Sequence, residues 1–299
     1  TTHSKGQKTI CFVTGVPGSG KTLAGLNMAT ETSNRPDDET AVFLSGNGPL
    51  VEVLREALAR DQKARSGCTK TDAKREVSSF VQNIHHFRDE ALKDSKPPPE
   101  HIVIFDEAQR AWDQHQASKF MQAKRGQKDF NKSEPEFLIE VMDRHDNWSV
   151  IICLVGGGQE INTGEAGLSE WLLALDGRFH NWKIHLSDRL VDPHYGLEQE
   201  AKILKSDTRI HWQADLHLDV SIRSFRAEAL SGFVAAVLDN NSEEAARLFE
   251  SIKVRYPIAL TRNLNTARSW LRTQARGTER FGFIASSGAY RLRAEGLNV

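Results

Sequence analysis

Cysteine is scarce. Cys11, Cys68 and Cys153 are the only three in 299 residues, too few and too scattered for a disulfide framework, which fits a reducing, cytoplasmic setting. No apolar stretch reaches the length of a membrane-spanning helix, and the opening TTHSKGQK lacks the apolar core of a signal peptide. An excess of charge is missing too. Lys and Arg number 39 against 40 Asp and Glu, so at a net charge of −1 no global field recruits nucleic acid, and any such contact must use a local patch. There is no internal repeat, no low-complexity tract and no Cys/His spacing of the zinc-binding kind. What remains is an ordinary globular composition, long enough for a sizeable core and two domains.

Against that background one stretch stands out, Thr9 to Thr22, TICFVTGVPGSGKT. An apolar run (Ile10 to Val13) ends at Gly15, and a loop through Pro17, Gly18, Ser19 and Gly20 closes on Lys21 and Thr22 ahead of a helix-like segment. This is G-x-x-x-x-G-K-[ST], the Walker A pattern, in the strand–loop–helix context it requires. Glycines let backbone N–H groups point at phosphate oxygens, and the following helix N-terminus adds partial positive charge. The pattern assigns Gly15, Pro17, Gly18, Ser19, Gly20, Lys21 and Thr22 to a nucleotide, with the Thr22 hydroxyl on magnesium.

Strand and helix signals alternate along the chain, which predicts an α/β fold with a parallel central sheet. Strands are expected at 41–45, 102–106, 150–155 and 182–186, and helices over 50–59, 77–92, 108–121 and 168–175, with a polar loop or frayed helix over 61–74. The pattern weakens from 191 to 215, which places one domain over 1–205 and a second, incomplete α/β unit over 206–299. In that second unit, helices are expected over 227–238, 243–252 and 266–275, and strands at 217–222, 258–261 and 281–285. The nearness of the phosphate loop to residue 1 suggests a piece of a longer protein, with further domains of that protein as partners.

Asp106 and Glu107 end the strand HIVIFDE, expected beside the phosphate-loop strand. Ligands of open parallel sheets sit at strand carboxyl ends. Asp106 is therefore the candidate magnesium holder, and Glu107 the base that orients and deprotonates water (the Walker B pair). Gln159, after the strand VIICLV, is a candidate γ-phosphate sensor, and Arg223 in DVSIRSFRAE a candidate arginine finger. Nucleic-acid candidates are Ser45, Asn47 and Pro49 in the loop after the second strand, His86 and Phe87 as stacking rings, and Arg262 in an arginine-rich C-terminal segment. Trp112, Trp148 and Trp171 are expected to pack the core.

With these pieces in order, the chain resembles superfamily 1 helicases and, more narrowly, the Schlafen group 3-like DNA/RNA helicase domain family. The residues behind this are GVPGSGKT (Gly15–Thr22), FLSGNGPLVEVLREAL (Phe43–Leu58), IVIFDEAQRAWD (Ile102–Asp113), GGGQEINTGEAGLSEW (Gly156–Trp171) and SIRSFRAE (Ser221–Glu228). The resemblance implies RecA-like domains that bind ATP and Mg²⁺ between them, with single-stranded DNA or RNA across their tops. Lys21, Thr22, Asp106, Glu107, Gln159 and Arg223 match motif positions one by one. Two positions depart: Ile222 stands where a tyrosine often precedes the finger, and Gly156 to Gln159 lacks the aspartate of G-D-x-x-Q. The activity implied is an ATPase motor acting on DNA or RNA. Two alternatives are a non-motor, ATP-gated nucleic-acid or protein binder in a signalling or defence assembly and, more distantly, a small-molecule phosphotransferase.

Overall fold

The apolar runs read at 10–13, 41–45, 102–106, 150–155 and 182–186 all form strands whose side chains alternate between two faces, and three short strands join them. In a computed structural model of the chain these are β1 (Lys8–Gly15), β2 (Ala41–Ser45), β3 (Val81–Asn83), β4 (Ile102–Asp106), β5 (Ser149–Leu154), β6 (Trp182–Leu186), β7 (Ile210–Trp212) and β8 (His217–Leu218). The structure describes all residues except 1–2, 33–39, 128, 157–164, 166, 193–194, 221–227, 255, 284, 286–288 and 297–299. The strands form one sheet in the order β3-β2-β4-β5-β1-β6-β7, with β8 paired to β1, and every pairing is parallel. This is the α/β class with a parallel central sheet expected from the sequence.

The helices of this part are α1 (Lys21–Thr32), α2 (Gly48–Ser66), α3 (Lys70–Phe80), α4 (Ile84–Lys93), α5 (Gln114–Arg125), α6 (Glu134–Asp143), α7 (Ser169–Gly177) and α8 (Ala201–Ser206). Period-two alternation divides the core. Val42, Leu44, Val103, Phe105 and Ile151 face a cluster with Leu138, Met142 and Trp171. Ala41, Phe43, Ile104 and Leu154 face Leu26, Val51, Ala73 and Val77 on the other side. Gly25 lets α1 lie close on the second face, since a Cβ there would meet Leu154 Cδ1 at 2.7 Å.

Several expectations need correction. The strand bearing Asp106 does not lie beside the phosphate-loop strand, because β5 pairs with both β1 and β4 and separates them. The helix expected over 77–92 is two helices, since Val81–Asn83 extends to pair with β2 and the Asn83 side chain caps α4 by accepting from His85 N. The polar stretch 61–74 is largely helical: α2 runs to Ser66 and ends on Gly67 at φ +69, and Thr69 caps α3. The run 108–121 breaks at Trp112, giving a short 3-10 turn (Ala108–Arg110) and then α5, which Asp113 caps. Ser133 caps α6, with Pro135 in its first turn.

The chain forms two compact units, Thr1–Phe225 and Arg226–Val299. β7 and β8 pair with β6 and β1, so the boundary expected at 205/206 falls inside the first unit. The second unit contains α9 (Glu228–Leu238), α10 (Ser242–Ile252) and α11 (Leu264–Gln274). α9 and α10 pack as a hairpin with the Phe233 and Phe249 rings 5.8 Å apart. The second α/β unit is not seen among the described residues, where 258–261, 281–283 and 285 pair with no strand and Leu260 is fully exposed. Among the described residues no helix is long and apolar enough to cross a membrane.

Candidate active site

Lys21 and Thr22 precede Asp106 and Glu107 by 84 or more residues in sequence, and the two pairs come together at the carboxyl ends of β1 and β4. They line one cleft of about 940 Å³ with Pro17 to Gly20, Ser45, Asn47, Arg110, Trp112 and Gly156. The phosphate loop reaches its shape through Gly18 at φ +77 and Gly20 at φ +89, conformations open to glycine and unfavourable for other residues. Ser19 N donates to Val16 O at 3.1 Å, and the Ser19 hydroxyl is buried without a hydrogen-bond partner among the described residues. The Lys21 ammonium donates to the Gly15 and Val16 carbonyls at 2.7 and 3.2 Å. Burial lowers its pKa, opposed by the charges of Glu107 and Asp106.

The Thr22 hydroxyl donates to Asp106 Oδ1 at 3.1 Å. Asp106 is only 3% exposed, and burial first, then the neighbouring Glu107 charge, push its carboxyl up to about 6. A hydroxyl and a desolvated carboxylate form a hard oxygen donor pair, a set suited to a magnesium ion. The orphaned Ser19 hydroxyl and the glycine-built loop likewise suit phosphate oxygens. The residues present therefore fit both groups.

Glu107 follows the strand in the left-handed region, at φ +54 and ψ +50. For glutamate this is uncommon and costs on the order of 1 kcal/mol. The conformation is held on both sides. Arg110 N donates to the Glu107 carbonyl at 2.8 Å, and Gln109 Nε2 donates to Glu107 Oε2 at 2.5 Å. Gln109 is buried, and its Oε1 accepts from Gly156 N at 3.1 Å. Trp171 fixes the same turn from below, its indole N–H donating to Ala108 O at 3.0 Å. Gln109 was missed by sequence reasoning, although it stands inside the quoted DEAQRAW. Its two amide ends meet groups 2 and 47 residues away, and composition carries no trace of the second.

The other expected residues fare unevenly. Gln159 and Arg223 lie outside the described residues. Ser45 is buried at the cleft wall and Asn47 lies at its mouth, where its side chain accepts from Leu50 N at 3.2 Å and caps α2. Pro49 occupies the first turn of that helix, so much of this loop's composition serves helix initiation. His86 is exposed, but Phe87 is 5% exposed and packed in the core. The expectation that Phe87 stacks on a base is therefore corrected. Arg262 is exposed in the second unit. Trp148 and Trp171 are core residues as expected, whereas Trp112 is half-buried and lines the cleft.

Over residues 8–298 the sequence matches the family described as Schlafen group 3, DNA/RNA helicase domain. The chain belongs to this family. Among solved structures, this Schlafen group 3 helicase domain is similar to the "Crystal structure of Pyrococcus furiosus Hef helicase domain". The identity is 15%, with 65% of this chain and 38% of the other covered, at a TM-score of 0.34. The Schlafen group 3 chain thus spans well under half of that structure's length. No curated protein matches it.

Proposed function

We propose that the chain is the ATP-binding and ATP-hydrolysing part of a superfamily 1-type DNA/RNA helicase or translocase. The observation carrying this reading is the convergence of Lys21, Thr22, Asp106 and Glu107 on one cleft whose floor is a glycine-built phosphate loop. Lys21 binds the β- and γ-phosphates and Glu107 takes a proton from the attacking water. The new P–O bond forms as the β–γ anhydride bond breaks, releasing phosphate and ADP. Thr22 and Asp106 would hold Mg²⁺, which when bound neutralises charge on the phosphates. By resemblance, Gln159 senses the γ-phosphate and Arg223 stabilises the transferring group. Thr1–Phe225 serves as the ATP-binding domain in this reading.

The partner proposed is single-stranded DNA or RNA, with the exposed Asn47, Pro49 and His86 of the first unit as candidate contacts and, taken by itself, Arg262 of the second. Phosphate release measured with and without single-stranded oligonucleotides tests the motor. Stimulation of several-fold is expected, and equal rates across DNA and RNA oligonucleotides would count against it. A non-motor, ATP-gated binder is the second reading, favoured by the all-helical described part of the second unit. It predicts oligonucleotide affinity that changes between ATP and ADP without ATP-dependent movement along the strand.

A further inference from the structure

The root of the phosphate loop is gripped from behind by β8. Thr14 and Gly15, which end β1, are in parallel register with His217 and Leu218. Val16 N donates to Leu218 O at 3.1 Å. Gly15 is glycine for this reason as much as for phosphate, since a Cβ there would stand 2.9 Å from both Leu218 Cβ and Leu218 O. The wholly buried Thr14 hydroxyl bridges Ser187 Oγ at 2.7 Å and His217 Nδ1 at 2.7 Å. His217 Nε2 in turn faces Asp219 Oδ1 at 3.2 Å. A carboxylate on Nε2–H leaves Nδ1 as the polar end turned to Thr14.

The same residues face the other way as well. The carbonyls of Gly15 and Val16 hold the Lys21 ammonium. Residues 14–16 are thus clamped between β8 on one side and the phosphate-binding lysine on the other. His217 itself does not line the cleft.

We propose that His217 is a positioning residue for the nucleotide site. Through its bond to Thr14 it latches β8 onto the loop root, and so sets where Lys21 and the loop amides stand. Nucleotide affinity then depends on a side chain that touches no phosphate. The affinity part rests on the nucleotide-binding reading above; the latch itself does not.

The test compares His217→Leu, which removes the polar contact, with His217→Asn, which restores a polar atom near the Nδ1 position. The full chain is titrated with a fluorescent ATP analogue and Mg²⁺, and amide hydrogen exchange of residues 16–21 is followed without nucleotide. His217→Leu should weaken binding about tenfold while turnover at saturating ATP stays within about threefold of wild type, and should speed loop exchange about tenfold; His217→Asn should recover most of both. Unchanged exchange and affinity in His217→Leu overturn the proposal, as does equal impairment in the two variants with a lowered Tm. Should the wild-type protein bind no nucleotide, the functional reading fails. The exchange comparison still decides the latch.

Discussion

Gln109 donates through Nε2 to Glu107 Oε2 at 2.5 Å while its Oε1 accepts from Gly156 N at 3.1 Å, so one buried amide ties the acid after β4 to the end of β5. The carboxylate's direction is set by this tie as much as by its own backbone. Gln109→Leu should therefore lower kcat by about 10- to 100-fold with nucleotide affinity within about threefold of wild type. Single-turnover hydrolysis alongside equilibrium binding separates the two quantities. A loss confined to affinity would place Gln109 in binding instead.

Glu107 sits at φ +54, which an L-residue adopts at a cost and glycine does not. Both Glu107→Gly and Glu107→Ala remove the carboxylate and its bond to Gln109. Their difference isolates the backbone. Urea denaturation should find the glycine variant more stable than the alanine variant by about 1 kcal/mol, the reverse of the usual order in regular structure. Both should be inactive.

Trp171 is wholly buried, with its ring edge-on to Phe12 at 6.1 Å and its N–H on Ala108 O. Trp171→Ala should destabilise the first unit by about 3–5 kcal/mol through cavity and lost burial. Trp171→Phe keeps much of the volume but leaves the Ala108 carbonyl without this donor, and should cost about 1–3 kcal/mol. Thermal and urea unfolding of the two variants measures both terms.

His145 is 4% exposed, with its ring 3.9 Å from that of His101 and its Nε2 against Glu100 O at 3.2 Å. Burial first, then the charge of a protonated His101, hold its pKa down to about 4 from an ordinary 6.5. In that window the unfolded chain binds a proton that the folded chain refuses, so stability rises with pH and falls on acidification from about 6.5 toward 4. The contribution is about 1–3 kcal/mol at the acid end. His145→Gln should flatten this limb of a stability-versus-pH curve. An unchanged slope would show that His145 takes its proton freely in the folded state.

Much of this architecture is legible in the residues. The glycine-rich loop announces itself because glycine, lysine and threonine stand at the fixed offsets of the Walker A pattern, and β4 because four apolar residues precede two acids. Pro135 in the first turn of α6 is a local signal of a helix start. What escaped depends on groups distant in sequence. Strand order is one example, since nothing in VIICLV states that it separates β1 from β4. The extension of Val81–Asn83 is another, because a ladder with β2 overrides the helical pattern on both sides. Glu107 has no local signal for positive φ, as glutamate is chosen there for its carboxylate and held by Gln109 and Arg110. The end of the first unit was placed too early because β7 is only 3 residues long, too short for periodicity to register, and because nothing in the stretch read as a strand from 217 states that it pairs back to β1.

The central claim is that Glu107 activates water against a triphosphate seated on the loop from Gly15 to Thr22. The most direct measurement compares wild type with Glu107→Gln for binding of an ATP analogue with Mg²⁺ and for single-turnover cleavage of the γ-phosphate. Binding within about threefold of wild type, with cleavage slowed by about 100-fold or more, is the result expected. Wild-type protein that binds no nucleotide, or a Glu107→Gln variant that cleaves at the wild-type rate, would contradict it.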